Sequence, residues 1–161
     1  MMLLIRNLFG RAEPVLGEAG PRDAAAISAL HGKSFRRGWS EPEVEAMLLE
    51  RNVFALRAMR GNKLAGFIIS RLAGDEAEIL SVAVDRGFRG RGLSRRMLNL
   101  HMRRLAGLGA HAVFLEVDEN NAPANRLYAR AGFHEVARRQ NYYQDASGKN
   151  SAALVLRRDL G

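Results

Sequence analysis

The chain has 161 residues, 47% of them hydrophobic, and 25 Lys and Arg against 17 Asp and Glu give it a formal net charge of +8. This length suits one packed core and is short for two ordinary domains. The absence of cysteine excludes disulfides, thiolate nucleophiles and sulfur-ligated metals, and it suits a cytosolic protein. The basic excess predicts a surface that attracts polyanions such as nucleic acid, a ribosomal surface or cofactor phosphates, although it is also compatible with a merely solubilising surface.

The amino terminus is predicted to be an arm, residues 1–14, that precedes a single domain, residues 15–161. Its apolar run Met1–Phe9 surrounds Arg6, is far too short to span a membrane and lacks a small-residue cleavage site. We therefore expect a loosely attached segment and no membrane association. A weakly amphipathic contact with a membrane or a partner is the alternative.

The first third of the chain predicts one short strand and two helices. Val15–Ala19 has the pattern of a strand. Asp23 is expected to cap a helix that runs to about Phe35. Ser40 and Glu43 have the spacing of a capping box, which predicts a second, shorter helix.

The middle of the chain predicts an antiparallel meander followed by a crossover. Val53–Met59, Leu64–Leu72 and Glu76–Val84 alternate like strands and are separated by short turns. A helix over about 92–108 and a strand Ala112–Val117 follow. Strand, helix and strand in this order predict a right-handed crossover and a parallel pair.

The last third predicts a short helix and a closing hairpin. Asn121 is expected to cap the helix and Gly132 to end it. Glu135–Tyr143 and Ala152–Arg157 then form the hairpin. The fold class predicted for the whole chain is mixed α/β, of the α+β kind.

A loop rich in Gly and Arg carries the strongest local signal for chemistry. Arg86 to Ser94 reads RGFRGRGLS and joins a strand to a long helix. Glycines let backbone N–H groups turn inward, and a helix start adds its positive dipole end, so this loop can cradle a pyrophosphate. It is neither a P-loop, since Lys followed by Ser or Thr is missing, nor a dinucleotide fingerprint, since a meander precedes it. The alternative interpretation is a flexible basic turn.

This loop resembles motif A of the GNAT superfamily, Arg/Gln-x-x-Gly-x-Gly/Ala, here Arg89-x-x-Gly92-x-Ser94, with Ser94 in place of the commoner Gly or Ala. The resemblance implies the GNAT fold, with six to seven strands, a splayed parallel pair and about four helices. It also implies acetyl-CoA as co-substrate, with Val82, Ala83 and Val84 bonding its pantetheine arm through their backbone. By the same resemblance the phosphate cradle consists of Gly90, Arg91, Gly92, Leu93, Ser94 and Arg95.

The resemblance covers about 24–156 and is most specific for the ribosomal-protein alanine acetyltransferase branch. Three strings carry it: Trp39-Ser40, Leu115-Glu116-Val117 before Asn120-Asn121, and Asn141-Tyr142-Tyr143. This branch implies the N-terminal alanine of a ribosomal protein as acceptor. Trp39 and Tyr142 are weaker candidates for the peptide groove, since both could equally be core residues.

Glu116 is the candidate general base. In the predicted strand it shares a face with Ala112 and Phe114, and a carboxylate buried there should have a raised pKa, which suits a base working near neutral pH. The family branch has its base at this motif position. The alternative is a solvated glutamate at a strand end.

Tyr128 is the candidate general acid, because its hydroxyl can protonate the departing thiolate while its ring packs. The family has its acid at this tyrosine and its CoA-contacting asparagine at Asn121. A tyrosine at helical spacing is, alternatively, only a core residue.

Metal and covalent chemistry are not expected. The four histidines, His31, His101, His111 and His134, lack metal-ligand spacing. Without cysteine, and without a Ser-His-Asp set, direct attack of the amine on the thioester is the simplest mechanism. Backbone N–H groups near Val82 are candidate donors to the developing oxyanion.

Two alternatives to this function remain. Another protein N-terminus, a lysine or a small amine could be the acceptor, because motif A does not select among them. A basic ribosome- or RNA-binding module that keeps the fold without catalysis is the second alternative, although nucleic-acid contact is also compatible with an enzyme. The sequence predicts no oligomeric state.

Overall fold

A computed structural model describes residues 12–161, which form seven strands and four α-helices around one mixed sheet. The strands are β1 Val15–Glu18, β2 Val53–Arg60, β3 Lys63–Ala73, β4 Glu76–Val84, β5 Ala112–Asp118, β6 His134–Gln144 and β7 Asn150–Asp159. The helices are α1 Ala24–Ser34, α2 Glu41–Leu48, α3 Leu93–Gly107 and α4 Ala122–Arg130. The sheet order is β1-β2-β3-β4-β5-β7-β6.

The predicted meander, parallel pair and closing hairpin are confirmed. Strands β2, β3 and β4 pair antiparallel in succession, β4 and β5 pair parallel, and β6 and β7 pair antiparallel. The pairing of β3 with β4 shifts its register between Ile69 and Ser70, where Leu80 of β4 is the extra residue. Such a bulge bends a strand. Strand β4 therefore leaves the direction of β5 partway along its length.

The two faces of the sheet bury separate apolar clusters. Helices α1 and α2 cover one face, where Ile27 and Val44 pack with Phe67 of β3. Helices α3 and α4 cover the other, where Met97 and Leu105 pack with Ile68 of β3. Phe67 and Ile68 are adjacent and wholly buried on opposite faces, as the alternation of a strand requires.

Of the two caps predicted in the first third of the chain, one is confirmed and one is wrong. At α2 the Ser40 hydroxyl accepts from the Glu43 N–H at 3.2 Å while the Glu43 carboxylate accepts from the Ser40 N–H at 3.0 Å. Asp23 stands before α1 but makes no capping bond. Its carboxylate accepts instead from the Gly20 N–H at 2.9 Å and pairs with Arg57 of β2 at 2.5 Å.

The predicted arm falls largely outside the described residues. Of its residues 1–14, the structure describes 12–14. There Glu13 pairs with Arg96 of α3 at 2.8 Å, and Arg96 also donates to the Pro14 carbonyl at 3.3 Å. Within residues 12–161 no helix is both long and apolar enough to cross a membrane.

Candidate active site

The centre of the candidate site is the gap between β4 and β5. The two strands, both within the described residues, pair only through Glu76 with Ala112, Ala77 with Val113 and Glu78 with Phe114. Beyond these pairs β4 bonds to β3 alone and β5 bonds to β7 alone. Each strand therefore presents backbone N–H and C=O groups without a strand partner to the gap, as an extended ligand lying between them requires. Val82, Ala83 and Val84 lie on the β4 side of this opening.

The loop after β4 is folded around short contacts of its own. The Asp85 carboxylate accepts from the Gly87 N–H at 3.0 Å, and Phe88 is buried in the core. Arg89, the first residue of the motif, donates from Nε to the Val84 carbonyl at 3.0 Å. This bond ties the loop to the end of β4, so part of the Arg89 side chain is engaged within the loop.

The start of α3 suits a phosphate group. Gly90 and Gly92 both have φ of 76°, the left-handed region that glycine adopts without strain, and Gly92 provides no capping bond. The N–H groups of Leu93, Ser94 and Arg95 precede the first intrahelical bond, which Arg96 donates to the Gly92 carbonyl. Arg91 and Arg95 are exposed beside them. Unbonded N–H groups, a helix dipole and two guanidinium groups fit the pyrophosphate of acetyl-CoA.

A basic hollow adjoins this loop on the side of α1. It encloses about 530 Å³, and its walls include Lys33, Lys63, Arg86 and Arg89, with Asp85 as the acidic member. Another hollow, about 430 Å³, lies between β2 and the second half of α3, away from the loop. Lys33 and Lys63 therefore add positive charge beside the loop.

Glu116 lies two positions beyond the last β5 residue that pairs with β4. Its side chain is 26% exposed, so it is half-buried. Its Oε1 stands 3.3 Å from Nε of Arg139, on strand β6. The candidate base thus faces an ion-pair partner that sequence analysis did not identify, and its role as base remains a prediction.

Tyr128 lies on the buried face of α4. It is 8% exposed, and its ring meets Phe133 edge to face with 5.7 Å between centroids. Burial raises the pKa of Tyr128 to about 12. The hydroxyl therefore keeps its proton at neutral pH, as a proton donor must. Its contacts also fit the core interpretation, so the catalytic role remains a prediction.

Two asparagines fix the connection between β5 and α4. Asn121 Oδ1 accepts from the Ala124 N–H at 3.3 Å, which confirms the predicted cap. Asn125, which sequence analysis missed, donates from Nδ2 to the carbonyls of Asp118 and Glu119 at 3.1 and 3.2 Å. These bonds hold α4, and with it Tyr128, against the end of β5. The proposed CoA contact of Asn121 remains a prediction.

The two weaker candidates occupy different surroundings. Trp39 is half-buried and stacks on His31 with 4.1 Å between ring centroids, while its backbone N–H donates to His31 Nδ1 at 3.1 Å. These are the contacts of a packing residue. Tyr142 is 52% exposed on β6. Arg36, between α1 and α2, donates to the carbonyl of Gln144, which brings the segment before Trp39 to the end of the β6–β7 hairpin.

Sequence analysis also missed the tyrosine that borders Glu116. Burial, together with the Glu116 carboxylate, raises the pKa of Tyr143. The string Asn141-Tyr142-Tyr143 contained the signal, but only the packing of β6 distinguishes its half-buried second tyrosine from its exposed first one. Within residues 12–161, no cluster of three or more His, Cys, Asp and Glu side chains has the arrangement of a metal site.

The fold and the loop together are those of an acyltransferase. The model of the acetyltransferase (GNAT) family matches residues 24–133, and the chain belongs to this family. A relative from Salmonella typhimurium strain LT2, the [ribosomal protein bS18]-alanine N-acetyltransferase, is 35% identical over 133 residues, which cover 83% of this chain and 89% of the relative. The enzyme of the same name from Escherichia coli strain K12 is 32% identical with the same coverage.

Solved structures agree with this assignment. The ribosomal-protein-S18-alanine N-acetyltransferase from Escherichia coli superposes with a TM-score of 0.86 at 26% identity and covers 92% of this chain and 94% of its own. Arabidopsis thaliana NAA60 in complex with acetyl-CoA has a TM-score of 0.79 at 18% identity, with 91% and 98% covered, and shows the same fold. The chain is therefore an acetyltransferase with the predicted GNAT architecture.

Proposed function

We propose that this acetyltransferase transfers the acetyl group of acetyl-CoA to the N-terminal α-amino group of a protein, namely the N-terminal alanine of a ribosomal protein in the cytosol. The observation that carries the proposal is the gap between β4 and β5, which has the unbonded N–H groups of the α3 start at its mouth and a carboxylate, Glu116, on its β5 wall. The alanine acceptor is inferred from the relatives that carry this activity in their names.

The donor is proposed to lie along the open edge of β4. Its thioester supplies an activated acetyl group. Val82, Ala83 and Val84 would bond the pantetheine arm, and a backbone N–H near Val82 would stabilise the developing oxyanion. The loop 89–95 would hold the pyrophosphate, and Asn121 would make a further contact. Without a cysteine and without a Ser-His-Asp set in the sequence, direct attack of the amine on the thioester is the simplest step.

Proton transfer is assigned to Glu116, on the β5 wall of the gap, and to Tyr128, on the buried face of α4. Glu116 would accept the proton of the acceptor ammonium, through water or directly, because only a neutral amine is nucleophilic. Tyr128, protonated at neutral pH, would donate to the departing thiolate. The acceptor peptide would approach past Tyr142 and the α1–α2 connection, where Trp39 is a supporting rather than a contacting residue.

The test is release of free CoA from acetyl-CoA with matched acceptors. Peptides that begin with Ala, Ser or Met are compared with a lysine peptide whose N-terminus is blocked. Turnover restricted to the Ala peptide is expected. Turnover on another acceptor would reassign the substrate and keep the enzyme, and failure to bind acetyl-CoA would favour the RNA-binding alternative.

A further inference from the structure

The carboxylate of Glu116 is already occupied by a cation of the protein itself. Arg139 Nε stands 3.3 Å from Glu116 Oε1, and the two side chains are 56% and 26% exposed. The Arg139 guanidinium also lies over the ring of Tyr142, 5.2 Å from its centroid. The guanidinium therefore rests between a carboxylate and an aromatic face at the solvent side of the gap.

The pairing of β6 and β7 brings Arg139 to this position. Arg139 pairs with Ala153 and Tyr143 pairs with Ser151, so that Gln140, Asn141 and Tyr142 stand opposite the single residue Ala152. Asn141 has φ of 54°, in the left-handed region that a non-glycine residue rarely adopts, and this marks a tight local bend in β6. Glu116 pairs with Val155 of the same β7, so the long arginine side chain spans one intervening strand to reach it.

The charged side chains nearest to this pair, Asp118 and Arg138, bind other partners. Asp118 accepts from the Ser151 hydroxyl at 2.8 Å and from the Asn120 N–H at 2.9 Å. Arg138, adjacent in sequence to Arg139, pairs with Glu119 at 2.7 Å and with Glu135 at 3.2 Å. Within the described part of the chain, Arg139 is the one Lys or Arg within ion-pair distance of Glu116.

We propose that Arg139 is a positioning residue that occupies the place of the acceptor's ammonium group, and that the acceptor must displace it to reach Glu116. This inference rests on the proposed function, since it takes Glu116 as the group that receives the amine. An acceptor then binds by exchanging one cation for another at the same carboxylate. Arg139 keeps the half-buried carboxylate paired in the free enzyme, weakens acceptor binding by competition, and favours acceptors that arrive positively charged.

The experiment compares Arg139→Gln with Arg138→Gln, which removes the same charge from the adjacent residue. Steady-state kinetics are measured at saturating acetyl-CoA with whichever amine the wild-type enzyme acetylates. Because the pair is partly exposed, Arg139→Gln is expected to lower the acceptor KM by about two- to fivefold, with kcat changed less than KM. Arg138→Gln is expected to leave the acceptor KM unchanged. An unchanged or raised KM in Arg139→Gln overturns the inference.

A second readout separates competition from a structural effect. Acceptor binding to the CoA complex is measured by calorimetry in the Glu116→Gln background, with and without Arg139→Gln. Without the charged partner, Arg139→Gln should no longer alter affinity, whereas a structural role would alter it in both backgrounds. Wild-type enzyme that acetylates no amine refutes the proposed function and the inference with it. Wild-type turnover combined with an unchanged KM in Arg139→Gln refutes the inference alone.

Discussion

Adjacent residues of β5 serve the core and the candidate site in turn, because side chains of a strand alternate between its faces. Leu115 and Val117 are buried in the cluster beneath α3 and α4. Glu116, between them, points to the opposite face, where Arg139 and Tyr143 approach it. This alternation allows one short strand to help build the core and also to carry a carboxylate to the gap.

Replacing Glu116 by Gln removes the proton acceptor and preserves the shape of the side chain. We expect Glu116→Gln to lower kcat by about 10²- to 10⁴-fold, because a general base contributes on that scale. The dissociation constant for acetyl-CoA should change little. Glu78→Gln is the matched control, since Glu78 pairs with Phe114 at the closed end of the gap and is exposed. Near-normal kcat in Glu116→Gln would exclude Glu116 as the base.

The buried histidine of α3 links stability to pH. His101 is 1% exposed, its Nε2 lies 2.7 Å from the Ser70 hydroxyl, and burial lowers its pKa to about 4 from 6.5. The unfolded chain therefore binds more protons than the folded one between these two values. The free energy of unfolding should fall as pH decreases through this window, by about 3 kcal/mol at its acid end. Burial lowers the pKa of His31 as well and adds in the same direction.

Urea unfolding at a series of pH values measures this dependence. His101→Gln cannot be protonated in this range and should have a shallower fall in stability between pH 6.5 and about 4 than the wild type. The exposed His134 provides the control, because His134→Gln should retain the wild-type slope. A His101→Gln slope equal to that of the wild type would contradict the assignment.

Single residues also mark the limit of what the sequence predicts about the site. The motif placed Gly92 at the start of α3, and strand alternation placed Glu116 on the face opposite Leu115 and Val117, because both depend on local pattern. Arg139 was missed because it reaches Glu116 across β7, and that contact depends on how distant strands pair. Trp39 was only a weak candidate for the groove, with the core as the alternative, and its stacking on His31 depends on how the connection between α1 and α2 folds back onto α1.

The same distinction holds for whole elements. The strands and helices have the predicted order and nearly the predicted ends, because periodicity and capping residues act within a few positions. The Ser40 cap formed as predicted since both partners are local. The Asp23 cap failed because Arg57, 34 residues away, binds the same carboxylate. The separation of β4 from β5 arises from the bulge near Leu80, and no local sequence pattern predicted that bulge.

The glycine that begins α3 provides a test at this scale. Gly92 has φ of 76° and open space around its Cβ position, so Gly92→Ala would meet no clash but would strain the backbone by about 1–2 kcal/mol. A shift of the loop to relieve that strain would misdirect the N–H groups of Leu93 and Ser94. We expect the dissociation constant for acetyl-CoA to rise about tenfold, the equivalent of 1.4 kcal/mol.

Gly109, just past the other end of α3, is the control for Gly92. It has φ of 97° and equally open surroundings, so Gly109→Ala introduces comparable strain away from the loop. Both variants should lose similar unfolding free energy in urea. Calorimetric titration with acetyl-CoA should separate them, because Gly109→Ala should bind like the wild type. If the wild type, Gly92→Ala and Gly109→Ala bound acetyl-CoA with equal affinity, the loop would be excluded as the phosphate site.

At the scale of the whole molecule, the gap is an opening between two separately packed faces. The cluster beneath α1 and α2 and the cluster beneath α3 and α4 are divided by the sheet, and β4 contributes to both. Three register pairs alone join β4 to β5, which links the meander to the closing hairpin. A ligand that bonds both open edges therefore joins two parts of the sheet that are otherwise linked at one end.

Acetyl-CoA should consequently stabilise the entire fold. Binding to the native state alone adds about 2.7 kcal/mol to the free energy of unfolding at a ligand concentration of 100 Kd. The rise in Tm, followed by calorimetry, should diminish as salt is added, because the donor is anionic and the chain carries a net charge of +8. An RNA oligonucleotide at equal phosphate concentration provides the comparison. For an enzyme with a shaped site, we expect part of the rise in Tm caused by acetyl-CoA to remain at high salt. Any rise in Tm caused by RNA should be lost there. Stabilisation by RNA alone would instead identify a basic binding module that has kept the fold and lost the donor.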